Sequence, residues 1–125
     1  MVLAEPTNNM ISFGGVDALY FNDVWSFDLG TNMWAIQHAS VTTPQPRAFF
    51  AQAKTGPYMY VLFGKHGVSS TDVMNDVWQF STTAEFWDRL VPSSTFIPEE
   101  RHSTSCDILG GRIWCYGGVG AAGQL

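Results

Sequence analysis

Two carboxylates recur in the same surroundings, Asp23 within Asn22-Asp23-Val24-Trp25 and Asp76 within Asn75-Asp76-Val77-Trp78. Paired carboxylates are the minimal equipment for general acid–base work, since one can hold a proton that the other gives up. The offset between the two is 53 residues, and it also carries Phe27 onto Phe80 and Trp34 onto Trp87. A whole cassette is being repeated, which explains the pair without catalysis. Both are read as side chains that cap loop backbone. His38, His66 and His102 share no metal-ligand spacing with one another or with a nearby cysteine, so no metal and no cofactor is expected. Gly14-Gly15 and Gly117-Gly118 lack the Lys-Ser/Thr that follows in a phosphate loop, and nucleotide binding is not supported.

Cys106 and Cys115 flank Gly110-Gly111, whose two glycines suit a tight hairpin turn. Counting outward, Leu109 faces Arg112, Ile108 faces Ile113, Asp107 faces Trp114 and Cys106 faces Cys115. Pairs alternate between hydrogen-bonded and non-hydrogen-bonded, which puts the cysteines at a non-hydrogen-bonded site with Cα atoms about 4.5 Å apart. That distance admits a disulfide. A bonded pair implies a secreted or extracellular parent, a free pair a cytoplasmic one, and the sequence leaves the compartment unknown.

The elements that carry these residues follow from self-similarity near fifty residues, the mark of a repeat array. Met10-Ile11-Ser12-Phe13 ends at Gly14-Gly15, and Val16 to Phe21 is read as a loop. Val24-Trp25-Ser26-Phe27 and Met33-Trp34-Ala35-Ile36 are the next strands, with turn chemistry between them. Tyr58-Met59-Tyr60-Val61-Leu62-Phe63 is apolar on both faces, as a strand sandwiched between two neighbouring sheets must be. Strands are expected near 10–14, 24–28, 33–37, 48–54, 58–64, 76–81, 86–91, 102–109 and 112–117, with a Gly/Ala tail after Gly118. No stretch carries a helical period. Aligning Gly64 with Gly14 and Gly117 gives the loop after Gly64 three extra residues and sets Lys65 in place of a second glycine.

The chain of 125 residues is 46% apolar with a net charge of −5, and its six Lys and Arg are scattered. A nucleic-acid partner would want a basic stripe, so that class is excluded. Apolar runs reach about six residues, far below the ~20 that a spanning helix needs. The cycle of four short strands, with glycine after the second, an aromatic on the third and Trp on the fourth, resembles the kelch repeat, a β-propeller blade. Gly14-Gly15, Asn22-Asp23, Phe27, Asp28 and Trp34 carry the resemblance in one copy; Gly64, Asn75-Asp76, Phe80 and Trp87 carry it in the next. Arg47 and Arg101 match the basic residue that opens a blade. Ser81 replaces the aspartate after the third-strand aromatic, and Phe50 and Thr104 stand where many kelch blades have histidine.

The resemblance implies an all-β, partial kelch-type propeller of four-stranded antiparallel blades that is not closed. Residues 1–46 would be a first blade missing the start of its first strand, 47–100 a complete second blade, and 101–125 half of a third. Trp25, Trp34, Trp78 and Trp87 are expected to fill the wedges between blades. The function implied is a protein–protein interaction scaffold, its partner of unknown identity, with remaining blades or self-association covering the open faces. The alternative is a fragment of a galactose-oxidase-like enzyme whose catalytic residues lie elsewhere. That enzyme's Tyr–Cys crosslink cannot come from the adjacent Cys115 and Tyr116, whose side chains leave one strand on opposite faces. Loops on a rigid scaffold carry recognition, and Asp17, Tyr20, Lys65, His66 and Asp72 are the candidate contacts.

Overall fold

The computed structural model describes residues 1–4, 8–37 and 41–125. Among these there is no helix. The first sheet takes the order β1 (Val2–Ala4), β2 (Asn9–Val16), β3 (Tyr20–Asp28) and β4 (Met33–Gln37). The second repeats it with β5 (Ala51–Thr55), β6 (Tyr58–Leu62), β7 (Val77–Ser81) and β8 (Phe86–Leu90). Two hairpins follow, β9 (Ser105–Leu109) with β10 (Arg112–Tyr116), and β11 (Val119–Gly120) with β12 (Gly123–Gln124). Every pairing is antiparallel.

Three expectations need correcting. The stretch from Val16 to Phe21 is not a loop: Val16 pairs with Tyr20 and Gly15 with Phe21, which leaves a three-residue turn. The Gly/Ala tail is a hairpin, because Gly123 adopts positive φ and lets the chain fold back. The third correction is one of alignment. Gly14, Phe63 and Gly117 share φ near 60° (57°, 62° and 70°), and Gly15, Gly64 and Gly118 share φ near 110° (113°, 106° and 107°). Gly64 is therefore the counterpart of the second glycine, and Phe63 replaces the first. The loop after Gly64 is four residues longer than its counterpart, since Gly15 to Gly64 is 49 residues and Asn22 to Asn75 is 53.

Alternation decides what each sheet buries. Met59, Val61, Trp78, Phe80 and Trp87 on one face of the second sheet pack against Ile11, Phe13 and Val24 of the first. Phe13 meets the Trp87 ring edge-on at 4.9 Å, a favoured aromatic geometry. The opposite face, with Ala51, Leu62 and Phe63, packs against Cys106 and Ile113 of the β9–β10 hairpin. Met59, Val61 and Phe80 are fully buried. Trp78 and Trp87 fill a wedge as expected, at 6% and 3% exposure, but Trp25 and Trp34 remain 37% and 51% exposed. Their face of the first sheet has no described sheet against it.

Backbone stitches lock the repeats together at one end. Gly15 N–H donates to Arg47 O at 2.9 Å and Arg47 N–H to Phe21 O at 3.0 Å. One repeat later, Gly64 N–H donates to Arg101 O at 2.9 Å and Arg101 N–H to Met74 O at 3.1 Å. A Cβ at Gly14 would stand 2.7 Å from Arg47 O, so glycine is required there for the close approach as well as for its φ.

Phe63 accepts left-handed strain, about 1–2 kcal/mol, and returns a buried ring (3% exposed) that carries the Arg101 guanidinium at 5.6 Å. Removing a buried Phe ring costs about 3–5 kcal/mol. Packing outweighs strain, so Phe63→Gly is expected to lower stability by about 2 kcal/mol. Urea unfolding followed by Trp fluorescence checks this; an unchanged or higher midpoint would mean the ring contributes nothing beyond the strain it imposes.

Candidate functional site

Antiparallel order places the short turns at 29–32, 56–57, 82–85 and 110–111 at one end of the sheets. The longer connections, 63–76, 91–104 and those around Pro44, collect at the other, together with the three-residue turn at 17–19. Short turns are set by local chemistry. Asp28 Oδ1 accepts from Gly30 and Thr31 N–H at 2.7 and 3.0 Å, and these bonds hold its carboxyl below the usual range. Ser81, in the place of that aspartate, accepts from Ala84 N–H at 3.1 Å and does the same work uncharged.

The long-connection end gathers all five candidate contacts. Tyr20 Oη donates to Gly67 O at 2.9 Å and ties β3 of the first sheet to the loop of the second. In that loop His66 N–H donates to Asp72 O at 3.0 Å, Ser69 N–H to Asp72 Oδ2 at 2.9 Å, and Lys65 Nζ to Val68 O at 3.2 Å. Tyr20, Lys65 and Asp72 thus shape the loop through these hydrogen bonds, and Asp17, at the turn, is exposed. Apolar tips that sequence reasoning passed over stand beside them. Leu19 is 72% exposed and Val68 93%. The signal was present, an aliphatic residue amid small and polar neighbours in each loop.

Next to Lys65, the Phe49 and His102 rings lie 6.1 Å apart and Ser103 N–H donates to Phe49 O at 2.8 Å. Burial, then the charge of Lys65, lowers the His102 pKa and favours the neutral ring. His38 lies outside the described residues. Among the described residues no three His, Cys, Asp or Glu side chains are grouped as metal ligands.

Asp76 does not cap loop backbone. Arg47, fully buried, donates Nη1 to Asp76 Oδ1 at 2.6 Å and Nη2 to Oδ2 at 2.7 Å. It also donates Nη1 to Phe63 O at 2.9 Å and Nε to Gln45 O at 3.1 Å. Trp78 Nε1 donates to Asp76 Oδ2 at 2.7 Å, and Trp25 Nε1 repeats this on Asp23 Oδ2 at 2.6 Å. Asn75 Nδ2 reaches Pro98 O at 3.3 Å and Asn22 Nδ2 reaches Pro44 O at 3.2 Å, so each asparagine anchors the incoming connection. The Asn-Asp pair is a structural clasp. A groove of about 440 Å³ opens beside it, lined by Gln45, Asn75, Asp76, Arg89 and Glu100 among others.

Cys106 and Cys115 pair in the expected register and are joined by a disulfide, their Cα atoms 4.2 Å apart. Tyr116 beside them is 86% exposed.

Four-stranded antiparallel sheets stacked face to face at a fixed repeat, with their long connections at one end, are β-propeller blades. The chain matches the KLHDC2/KLHL20/DRC7 Kelch-repeats domain over residues 1–121. It belongs to the kelch-repeat family. It is also 28% identical over 94 residues to the dynein alpha chain of the flagellar outer arm of Chlamydomonas reinhardtii. That match covers 73% of this chain and 2% of the dynein chain.

Burial opposes ionisation of Asp76, but the hydrogen bonds and charge of Arg47, helped by the Trp78 N–H, outweigh it and hold the carboxyl below its ordinary value of 3.8. A depressed folded pKa contributes stability that is present above the unfolded value and lost as pH falls through the folded one. Stability is therefore expected to decline on acidification below about pH 4. Asp76→Ala leaves Arg47 buried and unpaired, a loss of about 3–5 kcal/mol. Denaturant unfolding across pH 2–7 checks both, and in the alanine variant this part of the acid sensitivity should vanish.

Proposed function

We propose that this chain is a segment of a kelch propeller that recognises a protein partner through the end where the long connections gather. The observation that carries the reading is the pairing of rigid support with exposed apolar tips. Leu19 and Val68 project from loops that are tied to each other by Tyr20 and stiffened by Lys65 and Asp72. Preorganised loops lose little entropy on binding, which is what a recognition surface needs. The dynein match supports the notion of a segment, since it covers only 2% of that chain. We place the blade boundaries after residues 46 and 100, where the Arg47 and Arg101 stitches begin. Sequestration of Cys115 in a disulfide argues against a Tyr–Cys crosslink in this segment.

The disulfide favours an oxidising compartment for the parent. No helix among the described residues is long and apolar enough to cross a membrane. Intact mass of protein purified without reductant is expected to fall two hydrogens short of the sequence mass; a full complement would place the parent in a reducing compartment.

Each apolar tip, once covered by a partner, is worth about 1.5–3 kcal/mol. The double variant Leu19→Ser, Val68→Ser should therefore bind a protein partner about 100-fold more weakly while its near-ultraviolet dichroism stays unchanged. Capture of partners on immobilised protein, compared between wild type and variant, is the test. Equal capture of the same partners would move the recognition surface away from this end.

A further inference from the structure

The residues that border the groove beside the clasp fall into two kinds. Asn75, Asp76 and Trp78 recur in the first repeat as Asn22, Asp23 and Trp25, and their polar atoms are committed to the fold. Asn75 Nδ2 holds Pro98 O, and Asp76 accepts from Arg47 and from the Trp78 N–H. Arg89 and Glu100, which also line the groove, have no such counterparts. The register that sets Arg89 opposite Trp78 sets Ile36 opposite Trp25. Glu100 precedes Arg101 where Pro46 precedes Arg47. The repeat folds with apolar residues at both places, so these two charges do not serve it.

Both charges are also uncommitted. Each side chain is exposed, and among the described residues neither makes a hydrogen bond or an ion pair, with the other or with anything else. Arg89 leaves β8 on the same face as Trp78, its cross-strand neighbour, which brings the guanidinium to the groove. The charge of Asp76 is already met by Arg47. Among the described residues that line the groove, one free cation and one free anion thus border about 440 Å³ of space. The walls come from the connection that enters the second repeat, from the start of β7 and the end of β8, and from the connection that leaves.

We propose that this groove takes one acidic and one basic side chain from the same face of an extended segment of a protein partner, the acid on Arg89 and the base on Glu100. Side chains two residues apart on a strand share a face and lie about 7 Å apart, which matches the scale of the groove. An acid alone would meet the Arg89 fork with two parallel bonds but would set a like charge before Glu100. A base alone would do the reverse. A dipolar pair satisfies both, and charge complementarity of this kind fixes the register of a bound segment and rejects wrong ones. The inference adds a polar anchor to the loop-end reading without resting on it, since neither Leu19 nor Val68 lines the groove.

The probe is the peptide Ala-Glu-Ala-Lys-Ala, amidated at its C-terminus and carrying a neutral dye at its N-terminus. It is titrated with the 125-residue protein and followed by fluorescence anisotropy. Saturable binding is expected, weakened about fivefold by Arg89→Gln or Glu100→Gln in the protein, or by glutamine in place of the peptide's acid or base. Against the peptide that lacks its acid, Arg89→Gln should cost nothing further, and Glu100→Gln nothing further against the peptide that lacks its base. That coupling separates direct contact from a mere change of net charge. Both protein variants should keep the urea midpoint of the wild type, since neither side chain bonds within the described fold. Leu19→Ser with Val68→Ser should leave the peptide bound, so this proposal and the loop-end reading fail separately. Absence of saturable binding, indifference to either charge, or equal binding of a Glu-Ala-Glu or Lys-Ala-Lys peptide would overturn the proposal.

Discussion

The fully buried guanidinium of Arg47 sets the terms for everything near it. A buried charge without partners would cost several kcal/mol, and four of the five N–H donors of Arg47 are matched by two carbonyls and one carboxylate. Those acceptors come from the connection before β5, the end of β6 and the entry to β7. Satisfying one side chain therefore fixes three chain segments relative to one another. A pair of this kind is weak as a source of stability when compared with apolar replacements, but it rejects alternatives strongly. A one-residue slip of β7 against β6 would turn Asp76 to the other face and leave the guanidinium bare.

Where the clasp sits explains why glycine and phenylalanine alternate at one backbone position. The chain must turn through a left-handed conformation after the second strand of each repeat, and Gly14, Phe63 and Gly117 all do so. At Gly14 the next repeat's Arg47 carbonyl comes too close for a Cβ. At Phe63 the aromatic ring closes the seam against the hairpin and lies beneath Arg101. The same seam thus joins by backbone stitch at Gly15 and Gly64, with side-chain packing added only where the larger residue fits.

The architecture was legible because its signals are redundant. The Asn-Asp-Val-Trp cassette, the aromatic spacing and the Gly110-Gly111 turn each fix a register independently, and the hairpin pairs as those glycines dictate. What could not be read was the difference between a repeated residue and an equivalent environment. Trp25 and Trp78 occupy matching positions, yet one is buried and the other over a third exposed, since burial depends on the sheet that comes before. The glycine alignment failed for a related reason: residue identity pointed to Gly64 as the first of its pair, while φ assigns that role to Phe63. Asp76 was recognised as structural, but its partner is 29 residues away, and no local pattern names a contact that distant. The candidate loop residues were placed at one end by topology, yet their hydrogen bonds turned several of them into struts and left the neighbouring aliphatics exposed.

The disulfide stands where this logic leaves the least support. Cys106 and Cys115 occupy the positions that Gln52 and Val61 hold in the second sheet, each 54 residues earlier. There the pair is flanked by β7 and β8, and Val61 is fully buried. The β9–β10 hairpin has no third strand among the described residues, and Trp114 and Tyr116 are 59% and 86% exposed. An isolated two-stranded hairpin is marginal in water. Packing of Cys106 and Ile113 on Ala51, Leu62 and Phe63 supplies part of what is missing, and the covalent link supplies the rest by narrowing the unfolded ensemble of the loop it closes. Since the link joins residues already opposed by the Gly110-Gly111 turn, it reinforces a register set by backbone chemistry and does not impose one.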